Sequence, residues 1–252
     1  MSLTLVLIGI GTGNPRHLTQ EAVAAMNEVD ALLIPRKGPD KEDLAELRRE
    51  ICARNLRAPG PRLHEFDLPV RDENTPDYRR RVDDWHDAIA ATWSRALAEA
   101  LPGGGKAGFL VWGDPSLYDS TLRIVERLRQ RMPLELRVIP GITAIQALTA
   151  GHGITLNEIG APFVVTTGRR LRDAGWPPAA DTVVVMLDGS CSFQSLDPAG
   201  ISIWWSAYAG METEIRIAGP LAEVTARIVA ARQAAREEHG WIMDIYLLRR
   251  GA

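Results

Sequence analysis

Three short glycine-bearing segments hold the residues most able to do chemistry. Gly9-Ile-Gly11-Thr-Gly13-Asn14-Pro15 follows the apolar run 3–8, Gly113-Asp114-Pro115 follows the run 108–112, and Pro140-Gly141 precedes Thr143-Ala144. Each stands where a strand ends and a loop begins. In parallel α/β sheets, ligands gather at such carboxyl ends. The first loop invites a dinucleotide-binding reading, but that fingerprint needs a third glycine inside the helix and an acidic residue closing the second strand. Here Asn14 and Pro15 interrupt it, and Asp30 precedes the second strand. A tight turn leaving a strand explains the glycines equally well, and a nicotinamide oxidoreductase stays the weaker alternative. The sequence contains no phosphate-binding GxxxxGK[ST] loop.

Acid–base chemistry has few candidates. Asp72 follows Arg71 in Leu68-Pro-Val-Arg71-Asp72, His86 adjoins Trp85, and Asp114 sits in the second glycine segment. A cation beside Asp72 keeps it ionised and fit to act as a base. His86 reads equally as a half-buried helix residue. Arg16, Arg36, Arg71 and Arg79 lie in or beside the loops and suit a substrate rich in carboxylates, because arginine offers a planar fork of donors. Any of them can instead be an ordinary solvated surface group. Cys52, Cys191 and the five histidines show no metal-ligand spacing, so no metal is expected.

The elements that position these residues follow from apolar periodicity. Apolar runs at 3–8, 31–34, 108–112 and 134–139, with a weaker one at 63–68, read as strands. Helices are expected from Thr19, which suits an N-cap, over 41–54, and over 120–131. Tyr78, Val82, Trp85, Ile89, Trp93, Leu97 and Leu101 recur at steps of three and four, the mark of a helix with one apolar stripe. That stripe can serve as core or as a subunit interface. Strand and helix alternate throughout, so the first half is a mostly parallel α/β domain. After a helix over 143–150, the second half carries strands near 163–166, 182–187, 201–205, 214–217 and 243–248 and a helix over 221–236. Because strands there follow one another without intervening helices, a mixed sheet is expected, with the division near residue 141.

The chain has 252 residues, 46% of them hydrophobic and 24% charged, with a net charge of −3. This is a globular balance. It argues against a nucleic-acid surface, and no apolar run is long enough to span a membrane. The start lacks a secretory pattern, so a cytoplasmic protein is expected.

In their order and spacing, the segments from Leu5 to Thr19, from Gly108 to Ser120 and from Val138 to Ala147 resemble the tetrapyrrole methylase family. The resemblance covers nearly the whole chain. It implies two α/β domains, a parallel-sheet N-terminal domain at 1–141 and a mixed-sheet C-terminal domain at 142–252, with S-adenosylmethionine bound in a cleft between them. It further implies that Pro15, Gly113, Asp114, Pro115, Tyr118, Thr143, Ala144, Met186 and Ala207 line the cofactor site. His64-Glu-Phe-Asp-Leu-Pro-Val-Arg-Asp72, Arg81-Val-Asp-Asp-Trp-His86, Met186-Leu-Asp-Gly189 and Trp204-Trp-Ser-Ala-Tyr-Ala-Gly210 look like one branch of the family. That branch methylates the corrinoid precorrin-5 at C-1 and releases acetate. Another corrinoid or porphyrinoid substrate is the alternative. A homodimer is also implied. Thr12 and Asn14 depart from the GxGPG form that the family commonly shows in its first loop.

Overall fold

A computed structural model describes residues 2–36, 42–70, 78–178 and 180–251. Arg71 and Asp72 lie outside the described residues, and so does the side chain of Arg79. Contacts divide the chain into two compact units, Met1–Thr143 and Ala144–Ala252.

The apolar run at the start becomes β1 (Leu3–Gly9), buried along nearly its whole length. Burial on both faces is what a central parallel strand requires, and it explains the run of apolar residues in place of alternation. Beside it lie β4 (Gly105–Val111) and β5 (Glu135–Ile139), both parallel to it. With β2 (Ala31–Arg36) and β3 (Arg62–Asp67) they form a five-stranded sheet in the order β3-β2-β4-β1-β5, every pairing parallel. All five carboxyl ends therefore share one edge.

Side chains alternate across the sheet with period two. Leu5 and Leu7 pack with α3 (Tyr78–Ala100) and α4 (Thr121–Arg129), while Val6 and Ile8 pack with α1 (Gln20–Glu28) and α2 (Glu42–Asn55). Thr19 caps α1, its hydroxyl accepting from Ala22 N at 3.0 Å. The stripe on α3 is core. Ile89, Trp93 and Leu97 are buried, Trp85 and Leu101 pack against them, and the Trp93 ring stacks on Phe109 with centroids 4.1 Å apart. Of the two roles expected for that stripe, Ile89, Trp93 and Leu97 take the core one.

The second unit contains α5 (Ala144–His152), β6 (Phe163–Thr167), α6 (Gly168–Ala174), β7 (Thr182–Met186), β8 (Ile201–Ala207), β9 (Ile215–Pro220), α7 (Leu221–His239) and β10 (Asp244–Arg250). Its sheet runs β6-β7-β10-β8-β9. It is mixed, as expected: β6 and β7 are parallel, and the other pairings are antiparallel. Because β7 and β8 both oppose β10, the strands β6, β7 and β8 end on one edge.

Helix α6 corrects the expectation that strands here follow one another directly. Two parallel neighbours need a crossover, and Gly168-Arg-Arg-Leu-Arg-Asp-Ala supplies it. The segment has a single buried apolar side chain, Leu171, and so carries no apolar period. Its local signal is Thr167, which caps the helix by accepting from Arg170 N at 3.4 Å. Among the described residues no helix is long and apolar enough to cross a membrane.

Candidate functional site

In the first unit, the loops leaving β4, β1 and β5 meet as main chain against main chain. Gly11 and Gly113 form an isolated antiparallel bridge, with Gly113 N donating to Gly11 O at 2.7 Å and Gly11 N to Gly113 O at 3.3 Å. A Cβ on Gly141 would stand 2.0 Å from Gly113 O and 2.9 Å from Gly9 Cα. A Cβ on Gly9 would meet Gly141 N at 2.6 Å. No side chain fits at either position. Gly113 differs: its added Cβ would meet only Thr143 Cα, at 3.8 Å, within 4 Å. Its φ of 59° favours glycine, and the space beside it is open.

Asp114 ties two of these loops together. One carboxylate oxygen accepts from Gly141 N at 2.9 Å, and the other accepts from Ser116 N at 2.8 Å and from the Ser116 hydroxyl. Partial burial pushes its pKa up, but the donors of Ser116 and Gly141 outweigh that and hold it below the usual carboxylate range. This arrangement suits a staple better than a proton acceptor. Pro115 is buried behind it, while Tyr118 is 41% exposed with a φ of 49°. Thr143 is half-buried and closes the unit. In the first loop, the Asn14 side chain caps a short 3-10 turn, Pro15–His17, by accepting from Arg16 N at 2.9 Å. Asn14 thereby sets the course of the chain into Pro15. Thr12 Oγ1 and His17 Nδ1 share a hydrogen bond of 3.0 Å across the same loop.

The remaining described candidates of this unit, Arg16, Arg36 and His86, lie on three separate elements. Arg16 is exposed on the 3-10 turn. Arg36, at the carboxyl end of β2, is already held bidentately by its register partner Asp67, at 2.9 and 3.0 Å. A substrate carboxylate would have to compete with Asp67 for that fork. His86 is 6% exposed within α3, its ring 5.8 Å from that of Trp85. Trp85 Nε1 donates to Pro69 O at 3.0 Å, which ties the chain after β3 to the turn of α3 that carries His86.

Sequence reasoning passed over Arg48. It is buried on α2, donates Nε to Leu110 O at 3.2 Å and lies 5.5 Å from the centre of the Trp112 ring, next to Gly113. Burial pulls its pKa down to about 10, against the attraction of Asp119. Nothing in the spacing of α2 distinguishes Arg48 from its neighbour Arg49, which pairs with surface carboxylates.

The second unit presents Met186 and Ala207 at the carboxyl ends of β7 and β8, and Ala144 at the start of α5. Met186 is half-buried. Ala207 is fully buried, so its side chain meets core and only the chain beyond it reaches the edge. There Tyr208 takes a φ of 53°, with its hydroxyl donating to Trp241 O at 2.6 Å. After Met186 the chain turns sharply through Leu187 at φ 54°.

Asp188, 5% exposed, secures that turn. It accepts from Ser192 N at 2.6 Å, the Ser192 hydroxyl at 2.8 Å, the Tyr246 hydroxyl at 2.6 Å and Ser190 N at 3.1 Å. Gly168 leaves the room it needs, since a Cβ there would stand 2.2 Å from Asp188 Cγ. Beneath the turn, Arg232 bridges Asp188 O at 3.1 Å and Asp244 at 2.9 Å, and Trp205 Nε1 also donates to Asp244.

Burial pushes the Asp188 carboxyl up, yet its hydrogen bonds hold it below the ordinary value. A depressed folded pKa gives stability that is present above the unfolded value, about 3.9, and lost as pH falls through the folded one. The melting temperature should therefore fall steeply below about pH 4. In Asp188→Asn that acid dependence should shrink while stability at neutral pH drops. An unchanged acid slope would remove Asp188 as its source.

A sequence profile described as tetrapyrrole (corrin/porphyrin) methylases matches residues 4–225. The precorrin-6A synthase [deacetylating] of a Sinorhizobium species is 50% identical over 250 residues, covering 98% of this chain and 95% of that protein. A crystal structure of a cobalamin-synthesis-related protein, CobF, from Corynebacterium diphtheriae superposes with a TM-score of 0.83 at 38% identity, covering 99% of both chains. A uroporphyrin-III C-methyltransferase from Thermus thermophilus, solved with S-adenosyl homocysteine, shares the fold at 19% identity and a TM-score of 0.55, covering 98% of this chain and 97% of that one.

Proposed function

The chain belongs to the tetrapyrrole (corrin/porphyrin) methylases, and from that membership we propose that it converts precorrin-5 to precorrin-6A by methylating C-1 and releasing acetate. It is a methyltransferase. The observation that carries the specific reaction is the 50% identity, over 98% of the chain, with a precorrin-6A synthase [deacetylating].

S-adenosylmethionine supplies an electrophilic methyl group on a sulfonium. The residues present fit such a donor. Gly113 leaves open space beside its main chain, and half-buried Met186 offers apolar surface at a strand end. The holders proposed are Pro15, Gly113, Asp114, Pro115, Tyr118 and Thr143 from the first unit, with Ala144, Met186 and the chain beyond Ala207 from the second. Asp114 acts by fixing the loop that carries Gly113.

On the substrate, water or hydroxide adds to the acetyl carbonyl and the bond between that carbon and the ring breaks. Its electron pair passes to the ring carbon that takes the methyl. The acyl carbon leaves as acetate, and the water proton needs an acceptor. Asp72 is the proposed acceptor, with His86 as the other candidate; Arg16, Arg36, Arg71 and Arg79 are proposed to hold the carboxylates. Holding the acceptor carbon in line with the methyl and keeping bulk water out supply most of the acceleration.

The test is direct. Protein incubated with precorrin-5 and a methyl-labelled donor should give one labelled corrinoid and one acetate per turnover. Methylation without acetate would point to another reaction of the family. No methylation would refute the assignment of substrate.

We further propose a homodimer, as the resemblance implies, and, from the charge and apolar patterning of the sequence, a cytoplasmic protein that binds neither nucleic acid nor membrane. Light scattering at micromolar concentration should give twice the chain mass of 27.7 kDa, and a single-chain mass would refute the dimer.

A further inference from the structure

We propose that Leu187 is a wall of the methyl-donor site, placed there by the locked turn around Asp188. The inference rests on the donor reading above and extends it to a residue that the family resemblance did not assign.

Leucine is an unexpected choice at this position. A φ of 54° is disfavoured for any side chain with a Cβ, and more so for a bulky one. The fold recovers little from it, because Leu187 is 66% exposed and packs in none of the buried clusters. Single exposed leucines are ordinary. An exposed leucine in a conformation that glycine would adopt freely needs another reason.

Its surroundings supply one. Met186 before it ends β7, and a Cβ added to Gly189 two residues on would meet nothing within 4 Å, so the turn borders open space. The turn is not loose. The donors to the Asp188 carboxylate from Ser190, Ser192 and Tyr246, and the Arg232 contact to Asp188 O, hold the residue that follows Leu187 on both its side chain and its carbonyl. Cys191, at φ 54°, closes the same turn. A buried, fully engaged carboxylate thus forces an apolar side chain outward at a strand end. The chemistry that suits a rigid aliphatic side chain there is the flat apolar face of a base such as adenine.

Two variants separate a wall from a structural role, with S-adenosylhomocysteine as the probe in calorimetry and no substrate present. Leu187→Gly removes the side chain and the backbone strain together, whereas Leu187→Ala removes the side chain and keeps the strain. Both should bind about tenfold more weakly than the unaltered chain. Leu187→Gly should nevertheless melt about 2 °C higher than Leu187→Ala.

Affinity within twofold of the unaltered chain in both variants would overturn the proposal. So would a Leu187→Gly variant that melts well below Leu187→Ala, since the side chain would then be serving the fold. If the unaltered chain itself fails to bind, the donor reading falls and takes this inference with it. That result is distinct from a variant that binds as well as its parent.

Discussion

Gly141→Ala is expected to be among the most destabilising single-methyl additions in the chain. Its Cβ would stand 2.0 Å from the Gly113 carbonyl oxygen and 2.9 Å from two main-chain atoms of Gly9. An overpacked side chain can change rotamer, but a carbonyl fixed between two strand ends cannot. Relief would require the β5 loop to withdraw, breaking the Gly141 N bond to Asp114. Overpacking of this kind costs about 3 kcal/mol, or a melting temperature lower by roughly 10 °C for a chain of this size. S-adenosylhomocysteine binding should be lost at temperatures where the variant is still folded. By contrast, Gly153→Ala, where a Cβ would meet nothing within 4 Å and only the backbone conformation is strained, should cost about 1 kcal/mol. If the two variants melt together, the close approach of the three loops is not what holds this edge.

Asp114→Ala should give the largest loss of turnover with the fold intact. The substitution frees Gly141 N and Ser116 N at once. Hydrogen bonds to a charged acceptor are worth about 1.5–3 kcal/mol each, and misplacing the Gly113 loop removes the alignment on which methyl transfer depends. A fall of about 100-fold in kcat/KM corresponds to nearly 3 kcal/mol. Asp114→Asn separates the two roles considered for this residue. Its amide oxygen can still accept from Gly141 N, while its amide nitrogen faces the Ser116 N–H and loses that bond, so the tie to Gly141 survives and the loss should be about tenfold. A general base does not survive that change. If Asp114→Asn is as inactive as Asp114→Ala and the basic limb of the pH profile disappears, Asp114 is the proton acceptor after all.

Much of the first unit was legible because its signals are periodic and local. The apolar run of β1, the cap at Thr19 and the stripe of α3 each declare an element without knowledge of its neighbours. The carboxyl ends of β1, β4 and β5 then follow from topology, and with them the three glycine segments. What was not legible depends on partners distant in sequence. Asp114 reads as a candidate acid or base until Gly141, 27 residues away, is seen to donate to it. Arg36 reads as a free cation until the β2–β3 register sets it beside Asp67. Helix α6 is too short and too basic to show a period, and only the parallel pairing of β6 with β7 demands it. The turn at Leu187 has no signal at all in residue type. The role of its Asp188 anchor is hidden in the sequence, because the partners come from Ser192 and from Tyr246 on the last strand.

The junction of Gly9, Gly11, Gly113 and Gly141 also bears on how such a site changes over generations. Its form is written in peptide planes and in missing side chains, so substitutions around it leave it untouched. Thr12 and Trp112 flank it in sequence, while the hydrogen bonds that join Gly11 and Gly113 run from main chain to main chain. A lineage can therefore exchange these neighbours, and with them the surface offered to a new acceptor molecule, while inheriting the same main-chain junction. Innovation in what is methylated is thereby decoupled from the seat proposed for the donor.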